Sequence, residues 1–238
     1  MSEQSGTSRL VIWAGYFALS LLVLLPVSVL VVRSGAWQQG LMLYALCSAG
    51  AALLLLLFSL LLVLPAYRGQ RAALVKSLLF TLPGSLLVLS IFSGGNYPSI
   101  HDISTDTQNP PEFVTALKTR GEGSNPLTVK PDSIAAQLEA YPDLATLRSD
   151  ASAAQAYSHA IASAEALGWE VYHRDAEAGV IEAVDTTTIM GFKDDIVIRI
   201  QSAAEQTLID LRSVSRVGRG DMGANAKRIR AFSQQFQQ

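Results

Sequence analysis

The sequence predicts a two-part protein: an α-helical membrane module with three transmembrane helices, then an α+β two-layer domain with a four-stranded antiparallel sheet and two main helices. Two observations predict this fold class. Long apolar runs fill the first 92 residues, whereas charged side chains are spread through the rest. After residue 168, apolar and polar residues alternate at a spacing of two, which is typical of half-buried strands. We therefore assign residues 1–95 to the membrane module and 96–238 to the second domain, which begins with a linker at about 96–112.

Three apolar runs are each long enough to cross a bilayer. Leu10 to Val32 is a run of 23 residues without a charge, and Leu41 to Ala66 is a run of 26. The third run, Ala72 to Phe92, is interrupted only by Lys76. About 20 residues are needed to cross roughly 30 Å of hydrocarbon, so three spans through a lipid bilayer are predicted. A cleaved signal peptide is the alternative for the first run, but two further spans follow it.

Basic residues beside the spans predict their orientation. The N-terminal tail and the loop between spans two and three hold four of them, whereas the first loop holds Arg33 alone. Cytoplasmic loops carry the excess of Lys and Arg. We therefore predict a multi-pass protein of the bacterial inner membrane with a cytoplasmic N-terminus and a periplasmic C-terminal domain. The four positive residues are Arg9, Arg68, Arg71 and Lys76.

Cysteine and histidine are too sparse for a metal site in the second domain. Cys47 is the only cysteine and lies in the second span. Disulfide and thiolate-metal chemistry are therefore not expected beyond residue 95. The three histidines, His101, His159 and His173, lack the spacing of metal ligands. We predict neither a metal nor a cofactor.

The second domain begins with irregular chain and one clear helix. Residues 93–112 are rich in Gly, Ser, Asn and Pro and predict a linker that docks on the domain. A short helix is expected at Pro131 to Glu139, within an otherwise irregular stretch from 119 to 147. A longer helix follows, with Ser149 or Asp150 as its cap and Gly168 at its end. Its inward stripe is Ala154, Tyr157, Ile161 and Ala164.

Four strands and a final helix complete the domain. Trp169 to Arg174 and Gly179 to Thr187 form the first predicted hairpin. Two more strands show the alternation most clearly, with inward Ile196, Ile198 and Ile200 in one and inward Ile209 and Leu211 in the other. The final helix carries Ala226, Ile229, Phe232 and Phe236 at helical spacing. Both helices have one apolar stripe, so we expect them side by side on one sheet face, with the other face open and carrying charges of both signs.

The turn after the last strand, residues 212–223, is the strongest candidate for a binding site. It combines arginines, serines and glycines, which can present guanidinium groups and backbone N–H groups to an anion. A structural interpretation competes with this one. In it, Asp221 caps the helix, the glycines permit a tight turn, and the arginines pair with the aspartates of the preceding hairpin. The candidate binding residues are Lys193, Asp194, Asp195, Arg212, Ser213, Ser215, Arg216, Arg219, Asp221, Asn225 and Arg228.

The same region carries a family resemblance. The phrases IHDISTDTQNPPEF, AYPDL, GWEVYHRD, IEAVDTTTIMGFKDDIVIRI and DLRSVSRVGRGDMGANAKRIRAF resemble the domain of unknown function 1499 family over residues 98–236. The resemblance implies a domain of this family, which has no assigned activity or catalytic residues, and the apolar runs predict that this chain is a membrane-anchored member. Soluble members often have a Cys-Val-Ser-Ser-type opening. This chain has His-Asp-Ile-Ser-Thr at 101–105, so no role for a thiol carries over.

Charge is segregated within the second domain. Residues 98–210 hold seven basic and eighteen acidic side chains, whereas residues 211–238 hold six and one. The basic end can face an anion, a membrane surface or the acidic remainder of its own domain, and we favour the last. Nucleic acid is not an expected partner, because no aromatic side chains are interleaved with the basic ones.

Two functions from different classes are consistent with this sequence. The first is a non-enzymatic binding or envelope-associated module whose 212–223 turn recognises an anionic ligand, an envelope component or another membrane protein. The second is a membrane-anchored hydrolase or transferase that uses Asp185, Asp194 and Asp195 as base or ligands. A transporter is disfavoured because no charged residue lies in the middle of a span.

Overall fold

The structure, a computed structural model, describes residues 8–92, 95 and 97–238. The predicted start of the linker at residue 96 lies outside the described residues. The chain divides into two compact units, 1–95 and 96–238. Each unit contains a hydrophobic core of its own.

The first unit is a bundle of three helices. They are α1 (Arg9–Arg33), α2 (Trp37–Val63) and α3 (Arg71–Phe92), with a 3-10 turn at Pro65–Gln70 before α3. All three pairs of helices are in contact, and only 22 to 28% of each apolar window is buried within the bundle. The prediction of three helices long and apolar enough to cross a membrane is confirmed.

Small residues allow the helices of this bundle to pack closely. A Cβ atom added at Gly84 of α3 would lie 2.7 Å from the Cβ of Ala51 on α2. Apolar helices in a membrane usually pack through close backbone contacts at small residues, because the hydrophobic effect does not drive their association there.

The second unit is built on an antiparallel sheet of six strands, so the prediction of four strands is wrong. The four predicted strands are present as a meander, and two short strands pair with the free edge of the last one. The order across the sheet is β3, β4, β5, β6, then β1 and β2 on the same edge of β6. The strands are β1 (Asp102–Ser104), β2 (Leu147–Ser149), β3 (Glu170–Asp175), β4 (Val180–Thr186), β5 (Lys193–Ala203) and β6 (Gln206–Ser215).

The two additional strands lie in stretches predicted to be linker and irregular chain. Each has only three residues, which is too short to show a period of two. β1 pairs with residues 212–214 of β6, and β2 pairs with residues 207–209. The first strand therefore ties the beginning of the domain into the sheet at the end of β6.

The two main helices lie side by side on one face of the sheet, as predicted. They are α6 (Ala153–Ala166) and α7 (Ala224–Phe236), and α5 (Pro131–Ala140) is a shorter helix before β2. Ile198 and Phe232 are completely buried in the core between helices and sheet. The cap of α6 is Ser152, which forms a capping box with Gln155, and not Ser149 or Asp150.

The second face of the sheet is covered, although the sequence predicted it to be open. Phe113, Ala116 and Leu127, from the segment between β1 and α5, pack against Val197 and Val214. The segment contains the one-turn helix α4 (Ala116–Thr119). The charged side chains on this face are therefore buried beneath a layer of loop, and each needs a partner there.

Candidate functional site

The two aspartates of the Gly-Phe-Lys-Asp-Asp phrase point to opposite faces of the sheet. Asp194 and Asp195 are consecutive in β5, and successive side chains of a strand alternate between faces. Asp194 contacts α7 on the helix side, whereas Asp195 contacts arginines of the loop side. The predicted site residues are thus divided between two separate networks.

The helix-side network is centred on Arg228 of α7, which is 7% exposed. Its guanidinium donates to the carboxylate of Asp185 at 2.8 Å and to that of Asp194 at 2.5 Å. These two carboxylates lie opposite each other on β4 and β5. A single arginine therefore bridges a cross-strand pair of like charges and reduces the repulsion between them. The network comprises Asp185, Asp194, Ser213, Ser215, Asn225 and Arg228.

Asn225 connects this network to the beginning of the domain. Its side-chain oxygen accepts from Ser213 Oγ at 2.7 Å and from Arg228 at 2.5 Å. Its side-chain nitrogen donates to Ser215 Oγ at 2.9 Å and to the carbonyl of His101 at 3.1 Å. All four hydrogen bonds of the amide are made, so the side chain of Asn225 fastens α7 to β6 and to the residue before β1.

The loop-side network consists of Arg120, Asp195 and Arg216. Asp195 is fully buried and accepts two hydrogen bonds from Arg216, at 3.0 and 2.8 Å. The Nε atom of Arg120 lies 3.2 Å from the same carboxylate. Two cations thus share one anion, and Nε and Nη1 of Arg120 have no hydrogen-bond partner among the described residues.

The pKa values of these groups follow from that geometry. The hydrogen bonds that Arg216 donates to Asp195 raise the pKa of Arg216, against the opposing effect of burial. Burial lowers the pKa of Arg120, the charge of Asp195 opposes this, and repulsion from Arg216 adds to it. Arg120 is therefore the less favourably placed of the two arginines.

Arg212 is enclosed by the segment that leads out of β1. Its guanidinium forms a two-point ion pair with Asp102, at 2.9 and 2.8 Å. It also donates to the carbonyls of Pro111 and Leu127 and lies over the ring of Phe113. Arg212 therefore holds the loop layer on the sheet, and it is 3% exposed.

Three predicted residues lie outside both networks: Asp221 is half-buried, and Lys193 and Arg219 are exposed. Asp221 accepts hydrogen bonds from the N–H groups of Gly223 and Asn225, so it caps the first turn of α7 even though the helix begins at Ala224. Lys193 is exposed at the start of β5, and its carbonyl accepts from the N–H of Arg216. Arg219 is exposed, and its side chain has no ion-pair partner within the described part of the chain.

One important buried carboxylate was missed by the sequence analysis. Glu182 is fully buried in the middle of β4 and accepts hydrogen bonds from the N–H groups of residues 114–116, at the beginning of α4. The hydroxyl of Tyr172 donates to it as well, at 3.2 Å. Burial raises the pKa of Tyr172, and the negative charges of Asp195 and Glu182 raise it further. An acidic residue inside an apolar strand is the signal that could have revealed this site.

The clefts of the domain lie mostly away from these networks. One, of about 520 Å³, is lined by Tyr157, Ser158 and Gly179 among others, near the turn between β3 and β4. A second, of about 440 Å³, lies between Phe113 and Leu127 and includes Arg212. Among the described residues, no group of three or more His, Cys, Asp and Glu side chains could hold a metal ion.

These features define a class of protein: three apolar helices are followed by an antiparallel α+β domain whose sheet is covered by helices on one face and by loop on the other, with buried ion pairs on both faces. The chain belongs to the family of proteins of unknown function called DUF1499, whose family model matches residues 102–236. A comparison with curated proteins gives no match at a significant level.

Proposed function

We propose that this chain is a multi-pass protein of the bacterial inner membrane whose periplasmic domain binds an anionic group, without catalysis, at the turn between β6 and α7. The three long apolar helices support the membrane location. The excess of basic residues before span one and between spans two and three supports the orientation.

The positions of the carboxylates support binding in preference to hydrolysis or group transfer. Asp185 and Asp194 are both held by Arg228, and Asp195 is held by Arg216. A carboxylate whose oxygen atoms already accept hydrogen bonds from arginine is not positioned to take a proton from a substrate. The two strand neighbours Asp194 and Asp195 also face opposite sides of the sheet, so they cannot act together on one substrate.

The observation that carries the proposal is the unsatisfied backbone of the turn. The N–H groups of residues 217–220 donate to no described residue, whereas those of Arg216 and Asp221 on either side donate to carbonyls. Four consecutive N–H groups without a protein acceptor bind water or an anion. Arg219, within this stretch, adds an exposed guanidinium that no carboxylate neutralises in the described structure.

The anion-binding part of the turn is therefore narrower than the sequence alone indicates. Arg212, Arg216 and Arg228 are engaged with aspartates, which leaves Arg219 and the backbone of residues 217–220 to meet a ligand. Lys193 begins the neighbouring strand and supplies a second exposed positive charge at the same end of the sheet. The proposed ligand is a phosphate-bearing group, either a lipid headgroup or a soluble envelope component.

Thermal unfolding of the 96–238 unit with a panel of anions tests this function. Inorganic phosphate, water-soluble phospholipid headgroups and wall fragments form the panel. A ligand should stabilise the domain by about 2.7 kcal/mol at a hundredfold excess over its Kd, and the gain should decrease with added salt.

Arg219→Ala should abolish this response and leave the stability without ligand within about 0.5 kcal/mol of the original. Arg148→Ala is the matched control, because Arg148 is an exposed arginine of β2 near the other end of the sheet. If the domain and its Arg219→Ala variant respond equally, the turn is not the binding site.

A further inference from the structure

Three segments meet at one end of the sheet, which we call the loop end. They are the β4–β5 loop (residues 187–192), the β6–α7 turn (216–223) and the leading segment of the domain (97–101). The N–H of Asp221 donates to the carbonyl of Ile100, and the N–H of Arg216 donates to the carbonyl of Lys193, the residue directly after the β4–β5 loop. All three segments therefore lie at the same end of the sheet.

The loop end exposes large apolar side chains. Tyr97 is 46% exposed, Ile189 is 67% exposed and Met222 is 62% exposed. They are three of the six large apolar side chains that the described part of the domain leaves exposed. Each of the three segments contributes one, so the apolar character belongs to this end of the domain and not to one loop.

Met222 is exposed and has an unfavourable backbone conformation. Its φ angle is +53°, in the left-handed region that residues other than Gly, Asn and Asp rarely adopt. The preceding carboxylate of Asp221 accepts from the N–H of Gly223, which locks the turn on both sides of Met222. An apolar side chain kept at the surface in this way is expected to have a nonaqueous contact.

The sequence places this surface close to a bilayer. Tyr97 follows Phe92, the last residue of the third apolar helix, by only five positions. Five residues span at most about 18 Å when fully extended. The headgroup layer is itself about 5 to 7 Å thick on each side of the hydrocarbon, so the covalent chain keeps Tyr97 within reach of lipid headgroups.

We infer that the loop end rests on the lipid bilayer, with Tyr97, Ile189 and Met222 in the interfacial layer and Arg219 at the lipid phosphates. This inference rests on the proposed function and names its anion as the phosphate of a phospholipid. Tyrosine is suited to the membrane interface because its ring is apolar and its hydroxyl is polar. Arg219 and Met222 lie in the same turn. A basic side chain suits the level of the lipid phosphates, and an apolar side chain suits the boundary of the hydrocarbon.

Transfer of the three apolar side chains into the interfacial layer does not depend on the charge of the lipid. Lipid contact is therefore expected on neutral bilayers as well, and anionic lipid should strengthen it through Arg219.

Depth-dependent fluorescence quenching on the full-length chain tests this inference. In a Cys47→Ser background, Met222→Cys carries a fluorophore in nanodiscs of phosphatidylcholine, alone or mixed with phosphatidylglycerol, with spin-labelled lipids as quenchers. Glu205→Cys is the control, because Glu205 is exposed in the β5–β6 turn at the opposite end of the sheet. Ile189→Cys provides a second position at the loop end.

We expect lipids labelled near the headgroup to quench the fluorophore at positions 222 and 189 and to leave the one at 205 unquenched. Equal quenching at 222, 189 and 205 would overturn the inference. Quenching that grows with phosphatidylglycerol and shrinks in Arg219→Ala supports both the inference and the proposed function. Quenching that is the same with and without phosphatidylglycerol, and the same in Arg219→Ala, supports lipid contact but contradicts anion binding at the turn. If soluble phosphate stabilises the domain while positions 222 and 189 stay unquenched, the proposed function holds and the lipid inference is wrong.

Discussion

Asp195→Asn is the substitution that tests most directly whether the arginine-rich turn is held by internal ion pairs. The side chain keeps its shape but loses its charge, and two guanidinium groups lose their only shared anion. Asp195 is fully buried, and the side chains of Arg120 and Arg216 are 5% and 17% exposed. Leaving buried charge uncompensated costs about 3 to 5 kcal/mol, which is a large part of the roughly 5 to 15 kcal/mol that stabilises a domain.

Replacing Arg216 and replacing Arg120 should change the stability of the domain by different amounts. Arg216→Met removes two charged hydrogen bonds but leaves Asp195 beside Arg120, so we expect a loss of about 1.5 to 3 kcal/mol. Arg120→Met removes a buried guanidinium whose Nε and Nη1 have no hydrogen-bond partner among the described residues. It also removes the repulsion between the two arginines. We therefore expect Arg120→Met to be nearly neutral or stabilising.

Urea unfolding of the 96–238 unit, followed by circular dichroism, measures these differences if the slope with denaturant stays constant. Asp143→Asn is the control, because its ion pair with Arg230 is largely exposed, at 53% and 39% for the two side chains. Such a pair contributes at most about 1 kcal/mol. An Asp195→Asn variant no less stable than Asp143→Asn would refute the assignment of Asp195 as the buried counter-ion. A large loss in Arg120→Met would refute the unequal roles of the arginines.

Two further predictions concern orientation and pH. A reporter active only outside the cytoplasm should be active after Gln238 and silent in the Gly69-Gln70 loop, and the opposite pattern would contradict the orientation. Burial opposes ionisation of Asp106, but hydrogen bonds from Asn109 N–H and the Arg199 guanidinium outweigh it and hold its pKa below the usual value. The stability that Asp106 contributes is thus present above its unfolded pKa of about 3.9 and is lost as the pH falls through the lower, folded value. Urea unfolding at several pH values should show Asp106→Asn approaching the unsubstituted domain below about pH 4, and a constant difference would contradict this account.

Much of the fold follows from local patterns in the sequence. The apolar runs predict the three long helices because length and hydropathy alone suffice to define a span. The alternation of Ile196, Ile198 and Ile200 predicts β5 and its inward face, because a strand repeats every two residues. The stripe containing Ile229 and Phe232 predicts α7 in the same way, with a period of 3.6. All five of these side chains are buried in the domain core.

The rest depended on contacts between residues that are distant in the sequence. β1 and β2 are too short to show a period, and only pairing with the free edge of β6 makes them strands. Asp102 and its partner Arg212 are separated by 110 residues in the sequence. Arg120 and Asp195 are separated by more than half that number of residues. The charge pattern of the sequence indicates which side chains need a partner of opposite charge. The tertiary structure decides which guanidinium group contacts which carboxylate. It buried the charges of Arg212, Arg216 and Arg228 against aspartates and left Arg219 exposed, because only Arg219 lies in the part of the turn that the sheet, the helix layer and the loop layer do not cover.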